Sequence, residues 1–230
     1  MGNHLGRYSP ISTVGIIFDL DGTLLDSASQ IIPAVQETRF KYKLTYLQPS
    51  EIFKLIGMPA HALFDDHKSP LEDKLKNEVV QDFRNILETK YMTQTILFPG
   101  AKNLITSLVN SGMKIGVATS KPTYLAKSAI KNSELKNLPI SIHGTDNIAA
   151  KPDPTVILTC IKMLQTRVNV MIGDRTEDIH AGKNANCLTI GLTQSSHSKE
   201  ELTYAGADLV LPTLDSITIL LINKILGEKH

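Results

Sequence analysis

Asp19 and Asp21, the two acids that close the apolar run from Val14 to Phe18, are the first residues in this chain whose types and spacing could do chemistry. Residues two apart on an extended backbone point to the same side, so both carboxylates should enter one crevice. Two acids that close repel each other, and a divalent cation or a shared proton removes the conflict. Mg²⁺ suits such a place: it takes carboxylate and carbonyl oxygens and keeps waters that a phosphate can displace. Gly22 permits a sharp exit with the backbone close to a ligand, and Thr23 supplies a hydroxyl. Taken alone, the segment also reads as an acidic turn after a strand.

Three further places invite the same question. Thr119, in Thr119-Ser120-Lys121-Pro122, ends an apolar run where its hydroxyl and the following N–H groups could hold phosphate oxygens, or simply cap a helix. Lys151 is followed by Pro152-Asp153-Pro154, which stiffens its approach to a helix start and adds a point charge there; alone it is an ordinary surface lysine. Asp174 ends another apolar run, and Asp178 stands one helical turn beyond it, a pattern that also suits the first turn of any helix.

The elements that must position these residues alternate. Short apolar runs at 14–18, 114–118, 140–143, 168–172, 188–191 and 209–211 predict strands, and 3.6-residue patterns between them predict helices, the last over 214–226. Strand and helix in alternation make an α/β fold, a doubly wound parallel sheet whose ligands bind at the carboxyl ends of its strands. Residues 27–95 break the alternation. There the spacing predicts only helices: one through Ile31 and Val35, one opened by Pro49, one over 59–64, and one opened by a Ser69-Pro70-Leu71-Glu72 capping box with Leu75, Val79, Phe83 and Leu87 inward. The chain thus divides into an α/β core of residues 1–26 and 96–230 and a small all-α insertion of residues 27–95 after the first strand, with candidate hinges near Ser27 and Thr95.

In this order the four motifs resemble those of the haloacid dehalogenase superfamily, over nearly the whole chain, with the helical block where that family carries an α-helical cap. The branch it is most similar to is that of the phosphoglycolate phosphatases. The resemblance implies Asp19 as nucleophile, Asp21 as acid and then base, Thr119 as the phosphate-binding hydroxyl and Lys151 as the stabilising cation. It implies Mg²⁺ held by Asp19, Asp174 and the Asp21 carbonyl, with Asp178 holding the metal shell or the lysine. Thr23 and Ser120 join the substrate side. The reaction implied is hydrolysis of a small phosphorylated metabolite through a phosphoaspartate. The alternatives are a phosphomutase of the β-phosphoglucomutase type and a binding or regulatory protein without turnover. Asp21 argues against dehalogenation, which has no leaving oxygen to protonate. Two residues depart from the branch: Arg175, where many relatives carry Ser or Thr, and Ser120, where Asn is common. Lys54 and His61 flank the Gly57 and Pro59 break in the cap and are expected either to select substrate or to be surface residues.

Bulk properties narrow the partners. With 24 Lys plus Arg against 23 Asp plus Glu, the +1 chain has no field to recruit nucleic acid or an anionic membrane. Cys160 and Cys187 lack metal-ligand spacing and read as buried thiols in a reducing compartment. With no signal-like start and no spanning stretch, the expectation is a cytoplasmic monomer or homodimer.

Overall fold

The apolar run that ends at Asp19 is the strand β1 (Val14–Phe18), and it lies in the middle of the sheet. The computed structural model describes residues 14–65, 71–93 and 95–227. Six strands pair in parallel: β1, β2 (Lys114–Ala118), β3 (Ile140–His143), β4 (Val168–Gly173), β5 (Leu188–Leu192) and β6 (Leu209–Leu211). Their order across the sheet is β3-β2-β1-β4-β5-β6. The chain therefore builds outward from β1 on one side and returns to start again on the other, which opens a crevice beside the carboxyl end of β1. Phe18 is level with Val117 of β2 and Ile172 of β4, so Asp19, Thr119 and Asp174 emerge close together.

The period of two along β1 divides the interior. Ile17 faces a compact layer with Val156, Ile157, Cys160, Met171 and Cys187. Ile16 and Phe18 face the other way, into a cluster that runs on through Leu24, Ile31, Phe64 and Phe83. Helices cover both faces: α4 (Ala101–Asn110) and α5 (Thr123–Lys131) on one side, α6 (Thr155–Leu164) and α7 (Thr176–Asn184) on the other, with α8 (Lys199–Tyr204) beside β5 and β6. The helices of the inserted segment are α1 (Ala28–Lys41), α2 (Pro49–Leu55), a 3₁₀ turn at Ala60–Phe64, and α3 (Asp73–Ile86), which runs into a π turn at Leu87–Tyr91. The chain leaves and re-enters side by side: the Asp26 N–H donates to Ile96 O at 3.0 Å and the Phe98 N–H to Leu24 O at 2.9 Å. No helix among the described residues is long and apolar enough to cross a membrane.

Two boundaries differ from the sequence expectation. The helix expected from Ser69 and Pro70 is described from Asp73, after an extended Glu72; Ser69 and Pro70 themselves lie outside the described residues. Leu75, expected on its inner face, is 38% exposed, because the buried stripe of this helix begins only at Val79. The last helix, expected over 214–226, is split. A 3₁₀ turn at Leu214–Ser216 buries Leu214, extended backbone follows at Ile217, and α9 runs over Ile219–Gly227.

Phe18 is fully buried directly before Asp19. Phe18→Ala should cost about 3–5 kcal/mol, read as a fall in Tm on the order of 10 °C. A fall below about 2 °C would show that this side of β1 is not a packed anchor for the acids beyond it.

Candidate active site

Extended geometry persists one residue past β1, since the Asp19 N–H donates to Ile172 O at 2.8 Å. The chain then turns tightly, with Leu24 and Leu25 both donating to Leu20 O. Gly22 makes the turn at φ +90°, where a Cβ would come within 2.5 Å of Asp174 Oδ2. Gln194, from the loop after β5, holds the turn by donating to Gly22 O and Thr23 O at 3.3 and 2.8 Å.

Four acids and a lysine, all nearly inaccessible to solvent, meet here. Lys151 Nζ donates to Asp19 Oδ1 and Asp178 Oδ1, both at 2.5 Å, and to Ala118 O at 3.1 Å. Asp178 Oδ2 accepts the Arg175 N–H at 3.0 Å, so both oxygens of Asp178 are engaged at the start of α7. Asp174 accepts from Thr23 Oγ1 at 2.8 Å and from Ser196 Oγ at 2.6 Å. Asp21 accepts from Ser27 Oγ and, at 2.8 Å, from Lys121 Nζ. Asp19 Oδ2 is buried and has no hydrogen-bond partner.

The sequence assignments thus come together unevenly. Asp19, Asp174, Asp178 and Lys151 form one cluster, with Asp21 in the same turn and Thr119 at the adjacent strand end. Thr119 is buried, and its hydroxyl accepts the Lys121 N–H at 3.2 Å, which shapes the turn after β2. Ser120 and Lys121 line the cavity beside Asp21. Thr23, grouped with the substrate residues on sequence, is fully buried and orients Asp174. Lys54 and His61 have exposed side chains and do not line the cavity, although Leu55, Ile56, Gly57, Met58 and Ala60 around them do. Sequence reading passed over Lys121, Ser27 and Ser196. For Lys121 a signal existed, a lysine between a strand end and a proline, as at Lys151; the two serines carried none.

Arg175 ties the inserted helices to the loop after β4. Its Nη1 donates to Ile56 O at 2.8 Å and Lys54 O at 3.2 Å, and its Nε to Glu177 at 3.3 Å. Gly57, at φ +90°, lets the loop reach it: a Cβ there would lie 2.8 Å from Arg175 Cδ.

The charge balance favours a cation. Burial pushes the Asp19 carboxyl well above the usual range, and the Asp178 and Asp174 charges add to this while Lys151 opposes it. Burial and Asp178 raise Asp174 too, against Ser196, Thr23 and Arg175. Burial alone would lower Lys151, but Asp178 and Asp19 outweigh it and keep the ammonium charged. Asp19, Asp174 and Asp178 each offer an oxygen within 4.8 Å of the others. Three buried carboxylates this close together make an all-oxygen donor set, which fits a hard divalent ion such as Mg²⁺.

A family model described as haloacid dehalogenase-like hydrolase matches residues 16–192. The chain belongs to that family. Its curated relatives include the "Probable phosphatase IndB" of Dickeya dadantii, 27% identical over 88% of this chain and 90% of that protein. A phosphoglycolate phosphatase of Aquifex aeolicus is 32% identical over 76% of this hydrolase and 82% of its own length. Among solved structures, one titled as a predicted phosphatase from Clostridium acetobutylicum superposes with a TM-score of 0.79 at 28% identity, over 94% of this chain and 99% of that one. With such relatives over most of its length, this hydrolase is of the phosphatase kind.

The raised acids set the sign of a pH effect. A carboxyl whose folded pKa exceeds its unfolded one favours the fold at low pH, and that contribution is lost as pH rises from the usual carboxylate range through the raised value. Without a divalent ion, Tm should therefore decline over that window, and Mg²⁺ should restore it. At about 100 times its Kd, Mg²⁺ adds about 2.7 kcal/mol, roughly 5–10 °C in Tm for a chain of this size. Asp174→Asn should abolish the Mg²⁺ response in a thermal melt, and an undiminished response would remove Asp174 from the metal site.

Proposed function

We propose that this hydrolase is a Mg²⁺-dependent phosphatase that cleaves a small phosphorylated metabolite of the phosphoglycolate type through a phosphoaspartate on Asp19. The observation that carries the reading is the unpartnered, buried Oδ2 of Asp19, poised beside Lys151 with Asp21 in the same turn.

Asp19 Oδ2 attacks phosphorus in line, and the bond to the ester oxygen breaks. Asp21, the acid facing the cavity, gives a proton to the leaving oxygen, then takes one from the water that attacks the phosphoaspartate. Lys121 and Ser27 fix the Asp21 carboxyl for both steps. Lys151 offsets charge on the phosphoryl oxygens from a position held by Asp178 and Ala118 O, and Thr119 and Ser120, in the turn after β2, would bind further oxygens. Asp19, Asp174, Asp178 and the Asp21 carbonyl would hold Mg²⁺, which when bound neutralises charge on the transferring group. The inserted helices roof the cavity and keep bulk water from the reacting atoms. A net charge of only +1 and two buried thiols, both pushed up to about 12 by burial, fit a cytoplasmic setting.

The test is release of inorganic phosphate from a panel of small phosphomonoesters with Mg²⁺. Asp19→Asn should abolish it, and Asp21→Asn should lower kcat by about 10²–10⁴. Full activity in Asp19→Asn, or no phosphate from any ester with the parent protein, would overturn the proposal; isomerised sugar phosphate in its place would mark a mutase.

A further inference from the structure

The cavity over Asp21 contains a cation that the reaction above does not use. It is walled mainly by side chains such as Leu55, Met58, Leu63, Phe83, Leu87 and Leu125. Its charged lining groups are Asp21, Lys121 and Arg84. Lys121 is already committed to Asp21. Arg84, on α3, lines the same space, yet its Nε is buried with no acceptor. Among the described ion pairs Arg84 takes part in none, and Glu88, one helical turn farther on, does not bond to it.

An N–H of a guanidinium buried without an acceptor carries an unrecovered desolvation cost. An anionic group entering the cavity would remove that cost, and the apolar walls would strengthen the attraction by excluding water. The planar fork of Arg accepts a carboxylate or a phosphate through two parallel hydrogen bonds.

We infer that Arg84 reads a second anionic group on the substrate, carried on a short carbon skeleton at the end remote from the phosphorus. The inference rests on the phosphatase reading for where that phosphorus lies: phosphoryl group at Asp19, ester oxygen at Asp21, and the rest of the molecule in the cavity under α3. Arg84 is thus a specificity residue from the inserted segment, and a phosphomonoester that lacks the second charge leaves it unpaired.

Three esters of similar size test this: 2-phosphoglycolate, with a carboxylate; ethylene glycol bisphosphate, with a second phosphate; and ethyl phosphate, with neither. The parent protein should prefer one or both of the first two, and the preferred one identifies the anion. In Arg84→Met the ratio of kcat/KM for that ester to kcat/KM for ethyl phosphate should fall about 10- to 100-fold, the range for a lost hydrogen bond to a charged group. Arg84→Lys, which keeps the charge without the fork, should fall between, and it stands in if the Met variant does not fold in a thermal melt. Calorimetric titration of the same esters into Asp19→Asn, with and without Arg84→Met, reads the contrast in Kd without turnover. A parent that prefers ethyl phosphate, or ratios that do not move in kinetics or titration, would overturn the role of Arg84. Failure of the phosphatase reading looks different: no ester yields phosphate, while the titration still reports whether Arg84 distinguishes the anions.

Discussion

The buried contact of Lys151 with Asp19 and Asp178 is the interaction on which the rest of the site depends. One ammonium spans two carboxylates, one just past the end of β1 and one in the first turn of α7, 132 and 27 positions away along the chain, and also donates to the carbonyl that ends β2. Removing water from all three groups is costly, and only close, fully bonded geometry returns that cost. The contact leaves one oxygen of Asp19 free of partners while fixing the other. That asymmetry suits the role proposed for Asp19: the side chain is held in place while one oxygen keeps its lone pairs available.

That geometry exists because β1 lies at the reversal point of the sheet. Both its neighbours are parallel, both are in register with Phe18, and each ends in a turn that carries a functional group. Had β1 been an edge strand, Asp19 would have had one flanking strand end, not two, and the acids could not have been brought within ligand distance of a shared ion. The sheet contributes precision and little chemistry.

The inserted helices contribute what the sheet does not. Their apolar side chains continue the cluster that packs Phe18, so the roof of the cavity and the anchor of Asp19 share one interior. Arg175 reaches from the loop of Asp174 to the carbonyls of Lys54 and Ile56, which links the acid cluster to the loop lining the cavity. The long cation at position 175 therefore has a physical consequence: it fastens the loop after β4 to the inserted loop at Gly57.

Much of this was legible in the order of residues. Alternating periods of two and 3.6 are local, and they marked five later strands, the helical block at 27–95 and the acids at strand ends, because burial on one or two faces leaves its period in any short window. Element ends were less legible, since capping patterns compete with packing: the described part of α3 starts at Asp73, and the last helix breaks where Leu214 turns inward. The composition of each strand end, hence the class of chemistry, was the sequence's own determination. Which atoms meet was decided only by the tertiary structure. Lys121 on Asp21, Thr23 and Ser196 on Asp174, Arg175 on the inserted loop and Arg84 in the cavity all depend on sheet register and helix placement, which bring together residues as far as 151 positions apart and leave no periodic trace in the chain.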